Sequence, residues 1–236
     1  MIRAARHDNR AGLFAEALKA TVPVMFGYLA LGLAFGLLAA DAGFPWWLVL
    51  VMSLTMYAGA GQFALVGLLG SGGGLAEAAI LAAAVNVRHA AYGVSMLGRF
   101  APWPRQRPYL ALALTDETFA LLSTLPSRGE DDGLFMTMVA AIDQAWWVTG
   151  TVVGAVAGSL LPWKLEGLDF VLTSLFVVLL VEQCTRMKEP LPYAGAALGT
   201  LLGTLAAGSR AGMVIGIAMG MAASGIQAAR AGRRPE

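Results

Sequence analysis

Charge is what this sequence lacks most. Only 13% of its 236 residues are Asp, Glu, Lys or Arg, about half the 25% usual in soluble domains. The net charge is +1, with no extended basic face, which argues against nucleic acid as a partner. Cys184 is the one cysteine and there are two histidines. An intrachain disulfide, a Cys-x-x-Cys pair and a cysteine metal cluster are thereby excluded, and Cys184 is expected to be a buried structural thiol. His-Glu-x-x-His, Ser/His/Asp and metal-ligand spacings are absent as well, so no cofactor or metal is expected and the chain does not read as an enzyme. Soluble linkers and long polar stretches are also missing.

Apolar sequence is there in abundance: 58% of residues are hydrophobic and the mean hydropathy is +0.68. Runs occur at about 15–40, 46–69, 75–98, 108–125, 134–161, 168–186, 190–208 and 211–229, and a run of about 20 residues crosses about 30 Å of hydrocarbon. A β-barrel would instead show alternating segments of about ten residues. The expected fold is an all-α polytopic integral membrane protein with about six to eight transmembrane segments. The reading by region is a polar, flexible N-terminal segment 1–13, a single transmembrane domain 14–229, and a basic tail 230–236. The run at 20–40 is too long for a signal-peptide core and reads as a retained first helix. Trp46, Trp47, Trp103 and Trp163 fall at segment ends, where interfacial anchors belong. Arg3, Arg6, Arg10 and Lys19 at one end, and Arg230, Arg233 and Arg234 at the other, favour both termini in the cytoplasm.

Full spans throughout would put Arg99, Arg105 and Arg107 outside, against the positive-inside tendency. The conflict is resolved if 46–69 and 108–125 are broken or re-entrant helices. Each has a polar interruption midway, Tyr57-Ala-Gly-Ala-Gly-Gln62 and Thr115-Asp116-Glu117, and irregular backbone at membrane depth is tolerated where it lines a cavity. A weak internal echo, Gly32-Leu-Ala-Phe-Gly36 against Gly150-Thr-Val-Val-Gly154, fits a transporter built from two repeats, and fits chance resemblance equally. Glycines at spacing four (150, 154, 158; 195, 199, 203; 208, 212, 216, 220) mark helix faces that pack closely.

Ionisable groups stranded in these runs are the candidate working parts, since a charge at mid-bilayer costs about 2.5–3.5 kcal/mol on insertion scales. Asn86, His89 and Tyr92 share one helix stripe, with Arg88 about 100° away. Arg88 can hold a carboxylate bidentately or pair with Asp116, Glu117 or Asp143. Asp116 and Glu117 point about 100° apart on a continuous helix and share one small site only if it unwinds; brought together and buried, one of them would serve as a proton acceptor. Thr115 or Asp116 could equally cap a second half-helix. Asp143 needs a cation or a proton, whereas Glu182 and Gln183 lie near a helix end. Gly59, Gly61 and Gln62 belong to a stretch whose free amides could attract a carboxylate.

Three motifs resemble the AzlC family of branched-chain amino acid exporters: Tyr57-Ala-Gly-Ala-Gly-Gln62-Phe63, Asn86-Val-Arg88-His89-Ala-Ala-Tyr92 and Leu114-Thr115-Asp116-Glu117-Thr118-Phe119. Their order, spacing and the chain length also fit, with Ala60 where the family often has Ser. The resemblance implies a bacterial inner-membrane subunit that works with a small membrane partner, AzlD, and exports leucine, isoleucine, valine and analogues on an ion gradient. The expected partners are thus an amino acid substrate, membrane lipid and that subunit. The alternatives are a channel, a non-transporting scaffold subunit or, least supported, an integral-membrane enzyme.

Overall fold

The structure, a computed structural model, describes residues 2–70, 72–161, 170, 173–174, 177–178, 180–181, 184–185 and 190–231. Glu182, Gln183, Trp163, Arg233, Arg234 and much of segment 168–186 lie outside them. Among the described residues the regular structure is helical. The elements are α1 (Ile2–Asp41), α2 (Trp46–Thr55), α3 (Gly59–Gly70), α4 (Leu75–Ser95), α5 (Leu97–Phe100), α6 (Arg107–Leu112), α7 (Asp116–Thr124) and α8 (Asp132–Leu160). A C-terminal pair follows, Leu191–Ala207 and Ser209–Ala231.

Two stretches, Arg10–Asp41 and Gly129–Leu160, each 32 residues, are long and apolar enough to cross a bilayer. They pack along each other, and this α1–α8 contact is the spine of the molecule. Glycines make it possible: a Cβ on Gly36 would collide with the backbone of Thr151 and Ala155, and one on Gly154 with that of Leu33. The two echoed Gly-x-x-x-Gly segments therefore lie face to face. Small residues at spacing four let helix backbones approach in just this manner.

The runs 46–69 and 108–125 are each interrupted where the sequence places its polar break. α2 and α3 have 10 and 12 residues, and α6 and α7 have 6 and 9. At 1.5 Å per residue each is about 9–18 Å long, so no single half crosses about 30 Å of hydrocarbon. The first break is narrower than the sequence suggested. It covers Met56–Ala58, and Gly59, Gly61 and Gln62 already lie in the resumed helix. Tyr57 at its centre has φ +36°, a left-handed conformation that costs a bulky residue about 1–3 kcal/mol and persists only when its surroundings hold it. Its ring is buried and meets Tyr28 edge-on at 6.3 Å.

α1 begins at Ile2, so the lead 2–13 is helical. One expectation is corrected. Cys184 is exposed rather than buried, since lipid supplies a thiol's apolar surroundings as readily as a protein core does. Outward-facing Leu75, Leu160 and Leu205 are 82%, 77% and 76% exposed. So much exposed apolar surface suits lipid or a partner rather than water.

Arg99, counted above as a loop charge, is committed internally. Its guanidinium grips Asp132 with Nε at 3.0 Å and Nη2 at 2.9 Å. Nη1 donates to the carbonyls of Leu122 and Leu125, at the C-terminal end of α7. Asp132 also accepts from the Arg128 amide at 3.0 Å, and Arg128 reaches Glu16 of α1 at 3.0 Å. This clamp ties the far end of α7 to α4–α5, α8 and α1.

Candidate functional site

The two breaks meet at one pocket. Its cavity volume is about 60 Å3. Arg88, His89, Asp116 and Glu117 enter it, Gly59 and Ala60 form one edge, and Leu31, Phe63 and Trp147 supply apolar wall.

α3 begins at Gly59, and its first intrahelical bond runs from the Gln62 amide to the Ala58 carbonyl at 2.8 Å. The amides of Gly59, Ala60 and Gly61 precede that bond and have no carbonyl within their own helix. Together with the helix dipole they form an anion-favouring end. Gly59 and Gly61 also admit neighbours: a Cβ at Gly59 would stand 3.0 Å from the Trp147 ring, and one at Gly61 2.8 Å from the Asn86 amide.

α7 starts opposite. Thr115 caps it, accepting from the Thr118 amide at 3.3 Å, so Asp116 and Glu117 occupy the first turn, where negative charge is favoured. Both line the pocket from the first turn of α7. Their fates differ. Asp116 is taken up by Arg88 Nη1 at 2.8 Å and by the Tyr92 hydroxyl at 2.6 Å, and Tyr92 is held by stacking on Phe119 at 4.4 Å. Glu117 has no ion pair among the described residues and is exposed to the pocket. Arg88 retains a buried Nε with no hydrogen-bond partner.

Glu117 is one end of a longer connection. It accepts from the Tyr28 hydroxyl at 2.9 Å, which lies 2.5 Å from Thr115 Oγ1. Thr115 Oγ1 meets Thr118 Oγ1 at 3.1 Å, and Thr118 donates to Asp143 Oδ2 at 3.0 Å. Asp143, on α8, is fully buried and does not line the pocket. Its Oδ1 has no hydrogen-bond partner, and no basic side chain pairs with it among the described residues.

Gln62 is likewise wholly buried and off the pocket. It accepts from Trp147 Nε1 at 2.7 Å and donates to Ser53 Oγ at 3.2 Å, while Ser53 contacts Thr151 Oγ1 at 2.9 Å. This second polar chain fixes the Trp147 wall against α3. Asn86 packs on Gly61 with its Oδ1 unpartnered, and His89 lines the pocket and stacks with Tyr92 at 6.0 Å. Arg88 reaches the same pocket despite its offset on α4, through the length of its side chain. Sequence reasoning singled out neither Tyr28 nor Trp147. The one signal for Tyr28 was a hydroxyl within the apolar first run, which also carries that of Thr21. Among the described residues, no group of three or more His, Cys, Asp or Glu side chains is arranged to hold a metal ion.

Fold and site together define a helical membrane protein in which two interrupted helices meet at a charged pocket beside a glycine-packed spine. A sequence model described as AzlC protein matches residues 23–161. The "Branched-chain amino acid transport protein AzlC" of Bacillus subtilis is 34% identical over 178 residues, 75% of this chain and 70% of its own length. The chain belongs to the AzlC family. An "Uncharacterized membrane protein" of Helicobacter pylori J99 is 40% identical over 73% of this chain and 76% of its own length. The "Inner membrane protein YgaZ" of Escherichia coli is 33% identical over 80% of each chain. No solved structure matches.

Proposed function

We propose that this chain is a secondary transporter that exports branched-chain amino acids across the bacterial inner membrane, coupled to protons and working with a small AzlD-type subunit. In this reading one transmembrane domain, 14–229, crosses the membrane several times with both termini in the cytoplasm. One observation carries the proposal: across a small apolar space the pocket sets a carboxylate with no ion pair among the described residues against helix-start amides that have no carbonyl within their own helix. An amino acid zwitterion needs that pairing. Its ammonium meets Glu117, and its carboxylate meets the Gly59 and Ala60 amides beside the partly engaged Arg88. Its branched side chain lies against Leu31, Phe63 and Trp147. The printed name of the Bacillus subtilis relative favours the same substrate class. Asp143, buried without a cation, is the group that takes a proton, because an unpaired ion at that depth costs several kcal/mol.

The test is labelled-leucine counterflow in proteoliposomes containing this chain together with its small subunit, with and without an imposed pH gradient. Saturable counterflow that the gradient accelerates is the expected result. Absence of counterflow by the pair removes the reading; counterflow indifferent to the gradient leaves transport and removes proton coupling.

A further inference from the structure

The connection between Glu117 and Asp143 has a property that neither carboxylate has alone. It contains four oxygen-to-oxygen contacts, Glu117–Tyr28, Tyr28–Thr115, Thr115–Thr118 and Thr118–Asp143. Only three hydroxyl hydrogens, those of Tyr28, Thr115 and Thr118, are available to fill them. With both carboxylates ionised, Tyr28 donates to Glu117 and Thr118 donates to Asp143. Thr115 then has one hydrogen for two neighbours, and one contact is left as facing lone pairs. Buried polar contacts of that kind are costly. A single added proton removes the fault.

We propose that Glu117, Tyr28, Thr115, Thr118 and Asp143 form a proton relay that holds one shared proton and passes it between the pocket and the interior of α8. The inference rests on the proton-coupled transport reading above and supplies its path. The relay has two complete arrangements. With Glu117 protonated, Glu117 donates to Tyr28, Tyr28 to Thr115, Thr115 to Thr118, and Thr118 to ionised Asp143. With Asp143 protonated, every donor runs the other way and Tyr28 donates to ionised Glu117. Passage between them breaks one O–H bond and forms one at each hydroxyl, so each keeps a single hydrogen. The net change is one proton lost from Glu117 and one gained by Asp143. Hydroxyls suit this role because each is both donor and acceptor. Thr115 can also keep accepting from the Thr118 amide in both arrangements, so the helix cap survives the switch.

The ends are unequal by construction. Glu117 faces the pocket, with Asp116 and Arg88 beside it on α7 and α4. Asp143 is sealed, and the titratable groups that face it are the phenols of Tyr57 and Tyr109 and, through the relay, Glu117. A substrate ammonium and a proton therefore compete for Glu117, and the relay gives the displaced proton a destination inside the protein.

Thr118 is the link to cut, because it is buried and does not line the pocket. Thr118→Val in proteoliposomes with the small subunit should keep labelled-leucine counterflow. It should lose acceleration by a pH gradient about a hundredfold, the low end of what a positioned proton-transfer group contributes, and Thr118→Ser should restore it. Infrared spectroscopy of the unmodified protein supplies an independent arm. A protonated-carboxyl band is expected without substrate, perturbed by both Glu117→Gln and Asp143→Asn. A gradient response in Thr118→Val equal to that of the unmodified protein overturns the relay while leaving proton coupling standing. Lack of a gradient response in the unmodified protein removes coupling instead, and the relay is then judged on the infrared band, whose absence overturns it.

Discussion

The body formed by α1–α8 and the C-terminal helix pair use the same packing device for different ends. In both, glycines at spacing four bring two backbones together. A Cβ at Gly36 would strike the α8 backbone, and one at Gly216 would strike Thr200 Oγ1 and stand 3.0 Å from the Ala196 carbonyl. In the body, close approach brings polar side chains of different helices within reach of one another. Thr21, Ser53, Gln62, Thr115, Thr118, Asp132, Asp143 and Thr151 are all buried there. The pair has no buried polar or charged side chain among its described residues and touches the rest through α4. The matched family region, 23–161, lies within the body apart from its last residue, running from the middle of α1 through the end of α8. Glycine packing alone therefore makes a hairpin; glycine packing around interrupted helices makes a site.

The largest expected effect that sharpens this contrast lies in the clamp on α7. Arg99→Ala leaves Asp132, 3% exposed, without its cation. Removing one partner of a buried pair costs about 3–5 kcal/mol, so the thermal unfolding midpoint in detergent should fall steeply. Arg99→Lys should recover only part, because one ammonium cannot reproduce the two-pronged grip and the carbonyl contacts. Next come matched glycine changes. Gly36→Val and Gly216→Val should each cost about 1–3 kcal/mol by overpacking, but only Gly36→Val should also abolish leucine binding measured by calorimetry. Equal loss of binding in both would dissolve the distinction between body and pair. The smallest effect is expected at Leu205, 76% exposed. Leu205→Ser should change the unfolding free energy of the isolated chain by no more than about 0.5 kcal/mol.

Much of the body was legible because its signals are local. The second break follows from a Thr that caps the next helix and from two carboxylates favoured in its first turn. The first was placed a little too broadly because glycine pairs signal permissiveness, whereas the actual interruption falls on Tyr57, whose strained φ no propensity anticipates. The candidate charges Arg88, Asp116 and Glu117 were found by depth alone, and they do share a pocket. Whether Arg88 serves Asp116 or Asp143 was undecidable, since both lay within one set of possible partners. Tyr28 was missed because its contacts lie 87 and 89 residues away. Gln62 looked like a pocket residue, and its burial against Trp147 and Ser53 depends on how α2, α3 and α8 are juxtaposed.

Apolar run length, the breaks and the close-packing glycine faces were thus settled by the chain itself, because hydrophobicity, capping and side-chain size act over a few neighbouring residues. Which carboxylate is bound, which is open and which is sealed was decided by the tertiary structure. Those distinctions depend on oxygen atoms from α1, α7 and α8 coming within about 3 Å, the reach of a hydrogen bond, and no local pattern encodes that meeting.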